Sequence, residues 1–280
     1  MNETVKIWTD ISLSDLNSSR LLYENGHYRT SYFFFQQATE KANKAVAILG
    51  GEFNEKELRR ISHNQLQIYK KLCINEEQDV KELLELFESF PQIGNHKIFE
   101  NTNFIKFRKS LIDNVDFIDG LKNYDIVHIS TKELDSLLKE LIKIKDIRIT
   151  IPHEFDSIFK TKMLAISDWI GKYGTEKALE DKQKLEEILN NNEHYYKLYD
   201  IIMNRIFPLV LDLNFITKTL YFCAIITIQH TSLTRYPENN INPNSLYNKR
   251  LPIVKKQNEF MVLLNEAIMR LKNINEKDAR

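Results

Sequence analysis

The chain has 280 residues, 42% of them hydrophobic and 28% charged, with 39 basic and 39 acidic side chains. That length suits one large domain or two ordinary ones, and the balanced charge excludes a global electrostatic funnel for nucleic acid while leaving a local basic patch open. Only 7 Gly and 6 Pro are present, too few for the many tight turns of an all-β fold, and no GxGxxG or GxxxxGK loop is available to cradle a phosphate.

The pattern in chain order is all-α. Asp10 to Asn25 is expected as a first helix, capped by Ser12 or Ser14 and stopped by Gly26. Tyr28 to Leu49 is the clearest helix. Phe34, Ala38, Ala42, Ala45 and Leu49 form one apolar stripe whose small residues let a neighbour approach closely. Glu40 and Lys44 pair at i,i+4 on the polar side, and Gly50 and Gly51 end the helix. Tyr32 and Phe33 to Phe35 are expected in the core. Asn54 to Leu72 follows, with a break or cap at Ser62-His63-Asn64, and Glu76 to Phe90 reads as a further helix stopped by Pro91.

Leu134 to Ile144 is amphipathic, DIRITIP (146–152) is a short strand or an extended link, and Phe155 to Gly171 and Glu176 to Asn190 are helical. Tyr195 to Gln229 is a second strong helical region, broken near Pro208. A polar loop with three prolines leads to a last helix, Val254 to Lys272, with Phe260, Leu263, Leu264, Ala267, Ile268 and Leu271 inward. The apolar run Ile206 to Ile228 is interrupted by Asp212, Asn214 and Lys218, so a buried helix is expected there and no membrane span.

No signal peptide is read in MNETVKIWTD, which lacks a basic region followed by an apolar core. Cys73 and Cys223 share no motif and read as reduced thiols in a cytoplasmic protein. No His or Asp partner stands at zinc spacing, and the pattern calls for no cofactor and no metal.

Three pieces carry a family resemblance. The piece SYFFFQQATEKANKAVAILGG, entered through Gly26-His27-Tyr28, resembles the Q-Q-A-x-E-K-x-x-K-A helix of HEPN domains. The piece ISHNQLQIYKKL is similar to their H-D-L-x-x-L opening, with Asn64 in place of the usual Asp. LTRYPE resembles their R-Y-P-D/E turn before the last helix. The resemblance implies an antiparallel helical bundle made of residues 1–75 and 200–280, with 76–199 as a large helical insertion. It implies a homodimer that handles RNA or a nucleotide in toxin–antitoxin or phage-defence systems, with an antitoxin or effector protein as a further partner. Two versions follow from it. One is a metal-independent endoribonuclease; the other is a catalytically inactive binding module or adaptor for a nucleotidyltransferase or other effector.

In the family, an Arg-x(4–6)-His pair does the chemistry: the His helps activate the ribose 2′-hydroxyl and the Arg stabilises the charged phosphate. Here His63 is preceded by Arg59 and Arg60 with three and two residues between, shorter than the family spacing. Arg20 with His27 and Arg148 with His153 fit the spacing but lie elsewhere in the pattern. The catalytic candidates are therefore His63, Arg59 and Arg60. Arg235 is a candidate phosphate clamp or, on the plainer reading, a partner of a core-edge carboxylate such as Glu40 that holds the loop down. Lys41 and Lys44, in a polar row with Gln36, Gln37 and Glu40, are candidate substrate contacts or part of a solvated face or dimer seam. His128 and His153 have no partner visible in the sequence.

Overall fold

A computed structural model describes residues 2–147, 154–237 and 242–277. In chain order its helices are α1 (Glu3–Glu24), α2 (Tyr28–Leu49), α3 (Glu55–Ile61), α4 (Leu66–Ser89), α5 (Pro91–Gly94), α6 (Phe104–Gly120), α7 (Thr131–Lys145), α8 (Phe155–Gly171), α9 (Glu176–Asn190), α10 (Asn192–Ile201), α11 (Phe207–Thr227), α12 (His230–Leu233), α13 (Pro243–Leu246) and α14 (Pro252–Lys277). No strand occurs among the described residues, and the fold is all-α. Most of DIRITIP, together with Arg148 and His153, lies outside the described residues.

The chain divides into two compact units. One comprises Met1–Leu72, Asp116–Ile147 and Leu209–Arg280; the other comprises Cys73–Val115 and Arg148–Pro208.

In the first unit α1 starts well before Asp10, because the Asn2 side chain accepts the Val5 N–H at 3.2 Å and caps the helix there. Ser12 is no cap. It is buried, and its hydroxyl donates to the Ala38 carbonyl at 2.7 Å. Gly26, at φ +79°, turns the chain back into α2 in a conformation that suits a residue without Cβ. Lower in the seam Ser19 and Ser31 exchange hydroxyl-to-carbonyl bonds at 2.8 and 2.7 Å. The pairs Ser12–Ala38 and Ser19–Ser31 run in opposite order, so α1 and α2 are antiparallel. Small residues at the seam let the backbones approach closely enough for these bonds. From α14, Gln257 donates to both serine hydroxyls, at 3.2 and 2.7 Å.

The core of this unit joins Leu16, Tyr32, Phe35, Phe215, Leu220 and Phe260, with Leu134, Leu138 and Leu141 of α7. All six residues expected inward on α14 are buried. Each such large apolar side chain contributes roughly 1.5–3 kcal/mol by leaving water. Of the aromatic run on α2, Tyr32 and Phe35 are fully buried and Phe33 and Phe34 only partly. Asp212 is held by Arg270 at 3.0 Å, Asn214 and Lys218 are exposed, and Phe215, Ile216 and Leu220 on the same helix are buried. The helical stretch Asn192–Thr227 is long and apolar enough to cross a membrane by length and composition, but in the first unit its apolar residues fill this core. The expected break near Pro208 takes another form: a π-helical turn, Ile202–Ile206, in which the Phe207 N–H donates to the Ile202 carbonyl. A wide turn of this kind accommodates a proline that cannot donate to the regular ladder.

In the second unit Phe159, Leu189 and Tyr195 form the core, flanked by Phe155, Leu185 and Tyr199. A separate aromatic run links Phe87, Phe99, Phe104 and Trp169. Gly94 lies so close to Phe87 that a Cβ there would sit 2.6 Å from the Phe87 Cβ. His96 is buried and reaches Asp168 at 3.0 Å.

Candidate functional site

The helix expected over Asn54 to Leu72 is two helices. Asn54 and Glu57 form a reciprocal capping box at the start of α3, which ends after Ile61. Ser62 then takes φ +55° and ψ −122°, the one left-handed non-glycine residue among the described residues. Such a conformation costs on the order of 1–3 kcal/mol and persists only where its surroundings enforce it. Its effect is to reverse the chain between α3 and α4 and to present His63 toward α2.

There His63 Nδ1 lies 2.8 Å from Glu40 Oε2, while the other oxygen of the same carboxylate accepts from Lys44 Nζ at 2.7 Å. Glu40 is nearly buried, with its side chain 7% exposed, whereas His63 is 47% exposed. Burial alone would raise the Glu40 carboxyl, but hydrogen bonds and charge from Lys44 and His63 outweigh it and hold the group below its ordinary value. An ionised carboxylate only accepts, so His63 donates its Nδ1–H to Glu40 and keeps the lone pair of Nε2 for the outside. A histidine oriented in this way is equipped to take a proton, and the carboxylate stabilises the imidazolium that results.

The Gln-Gln pair of α2 extends the arrangement. Gln36 donates to Glu40 at 3.4 Å, Gln37 donates to Gln36 at 2.8 Å, and Lys41 donates to Gln37 at 3.1 Å and to Asp15 at 2.6 Å. One hydrogen-bonded chain thus runs from Asp15 of α1 to His63. Lys41 and Lys44 each spend their charge on a carboxylate within the protein. Behind it the buried Asn43 amide donates to the Gln65 side-chain oxygen at 2.8 Å and accepts from the Tyr69 hydroxyl at 2.5 Å.

Arg59 is 83% exposed and 3.7 Å from Glu55, and Arg60 is exposed on the same short helix. Arg235 does not pair with Glu40. Its guanidinium covers the Phe33 ring at 4.9 Å, seven residues from Glu40 on α2 and so about 10 Å along the axis. His27 is exposed at the α1–α2 turn. His128 does have a partner, Asp125, at 2.9 Å. His230, in the segment expected as a polar loop, is fully buried. Glu40 as the partner of His63 was not readable in the sequence, because the two residues are 23 apart and are joined only by the reversal at Ser62. A cavity of about 540 Å³ in the first unit is lined by Asn64, the residue after His63, together with Leu66, Gln67, Asp119, Lys122 and Gln229.

Residues 5–90 match the family model of the HEPN domain. The chain carries a HEPN domain. The matched stretch contains every member of the Asp15–Lys41–Gln37–Gln36–Glu40–His63 chain, and Lys44 with it. No curated protein and no solved structure matches the chain.

Proposed function

We propose that this HEPN protein handles RNA or a nucleotide, and that His63, oriented by Glu40, is its acid–base group. The observation that carries the reading is the 2.8 Å contact between a lowered, nearly buried carboxylate and the Nδ1 of a half-exposed histidine. A structural histidine needs no free nitrogen facing solvent; a general base does. The cavity that Asn64 lines, with both apolar and amide side chains in its lining, suits a nucleobase, whose faces are apolar and whose edge donates and accepts. On an RNA strand, His63 Nε2 takes the proton of a 2′-hydroxyl, the resulting oxygen attacks the adjacent phosphorus, and the 5′-oxygen departs with a proton from water. That route needs no metal. Its products are a 2′,3′-cyclic phosphate and a 5′-hydroxyl end. The family resemblance supports a homodimer as the working form and a toxin–antitoxin or phage-defence setting in the cytoplasm.

A second reading, a binding module or adaptor without turnover, is favoured by the short spacing of Arg59 and Arg60 from His63 and by the Arg59–Glu55 approach at 3.7 Å. Incubating wild-type protein, His63→Ala and Glu40→Gln with mixed RNA in EDTA separates the two. Turnover by wild type with a loss of about 10²–10⁴-fold in His63→Ala supports the acid–base assignment, and Glu40→Gln should lose activity through the same histidine. Equal rates in all three proteins sink it. RNA binding by wild type without cleavage selects the adaptor.

A further inference from the structure

We propose that Arg29 and Arg235 form a phosphate-binding site of their own, separate from His63. The two side chains, with Thr30, Phe33 and Thr234, line a hollow of about 190 Å³ in the first unit. Arg29 Nη1 donates to the Thr234 carbonyl at 2.9 Å, which ties the start of α2 to the segment carrying Arg235 and fixes the guanidinium. Arg235 is fixed by stacking on Phe33, and its Nε is buried with no hydrogen-bond partner. Neither arginine meets a carboxylate among the described residues. Elsewhere the protein does provide one: Arg270 lies against Asp212 and Glu266, and Arg108 against Glu77.

The backbone adds to the same imbalance. α2 has no acidic residue in its first turn and no side-chain cap from His27, whereas α3 and α7 each have a capping box that brings a glutamate to their start. The first N–H groups of a helix and its dipole make that end positive, so Arg29 places a cation where an anion belongs. Lys249, 5.9 Å from the Tyr28 ring, brings a third positive charge to the same helix start. Two immobilised guanidinium forks beside an uncapped helix start lack only the anion, and a phosphate group matches fork geometry with paired hydrogen bonds. The hollow has room for a phosphate group. The Phe33 face is already covered by Arg235, so no base stacks there, and the rest of the ligand remains outside. The phosphate belongs to a nucleotide or to an RNA strand.

Calorimetry at fixed ionic strength, with inorganic phosphate titrated into the full chain, tests the site. Saturable binding is expected in wild type, weakened about tenfold or more in Arg235→Ala and in Arg29→Ala, partly kept in Arg235→Lys and unchanged in His63→Ala. The last result separates this site from the acid–base assignment. Circular dichroism establishes that the variants are folded. Competition by RNA oligonucleotides then identifies the source: a 5′-phosphorylated strand alone points to an end phosphate, and a 5′-hydroxyl strand acting equally points to the backbone. Absence of saturable binding in wild type overturns the proposal, as does wild-type affinity in the Arg29→Ala/Arg235→Ala double variant.

Discussion

Two histidines of the first unit occupy opposite environments. His63 stands on a strained turn, half-exposed, with a carboxylate on one nitrogen. His230 is fully buried among aromatic rings, 4.7 Å from Tyr32 and 5.6 Å from Tyr247 between centroids, and its Nδ1 lies 2.6 Å from the Tyr247 hydroxyl. Its Nε2 is buried and unpartnered among the described residues. Burial, aided by the charge of His128 and opposed by that of Asp125, pushes the His230 ring down to about 3 from an ordinary 6.5. One ring holds a nearby carboxylate and keeps a face open to solvent; a dry aromatic pocket keeps the other neutral and makes it a packing element.

The largest expected effect lies in the pocket. Tyr32→Ala removes the ring packed on His230, Phe35 and Tyr247 and the hydroxyl that donates to the Ile226 carbonyl at 2.8 Å. Urea denaturation should show a loss of about 3–5 kcal/mol, and a loss below about 1 kcal/mol would mean that the pocket is not the packed centre described here. The next effect is a pH slope. The folded pKa of His230 lies below its unfolded value, so the unfolded chain binds the extra proton between the two. The stability is therefore fully present above about pH 6.5 and is lost as pH falls toward 3, at up to about 1.4 kcal/mol per unit. His230→Phe should flatten denaturation midpoints measured across that window; an unchanged slope would assign the acid lability to other groups.

The contrast also explains what was legible in the sequence. Helix α2 was read to the residue because its apolar stripe and the closing glycines are local signals, and α8 and α9 were read for the same kind of reason. Asn2 as the cap of α1 was missed because Ser12 and Ser14 looked like better starts, though Ser12 is used across the seam to Ala38. The break at Ser62-His63-Asn64 was visible, but its partner was not: only the fold brings Glu40 to His63. His230 was read as a loop residue because its neighbours in sequence are polar, while its neighbours in space are Tyr32 and Tyr247. The Gln-Gln-x-x-Glu-Lys pattern located the polar chain correctly on α2. It did not say that Glu40 would be nearly buried, which is what distinguishes a solvated helix face from a built site.

The smallest expected effect sharpens the description of the turn. Ser62 holds φ +55° and ψ −122° without a glycine's freedom, and relieving that conformation should return part of its roughly 1–3 kcal/mol of strain. Ser62→Gly also loosens the unfolded chain, which takes back about 0.4–1 kcal/mol. The net expectation is a gain of about 1 kcal/mol in urea, with the Glu40–His63 contact kept because the backbone already has the geometry glycine prefers. A destabilised variant would show that the serine side chain itself holds the reversal. The strain would then no longer be the feature that sets the His63 turn apart from the relaxed, tightly packed pocket of His230.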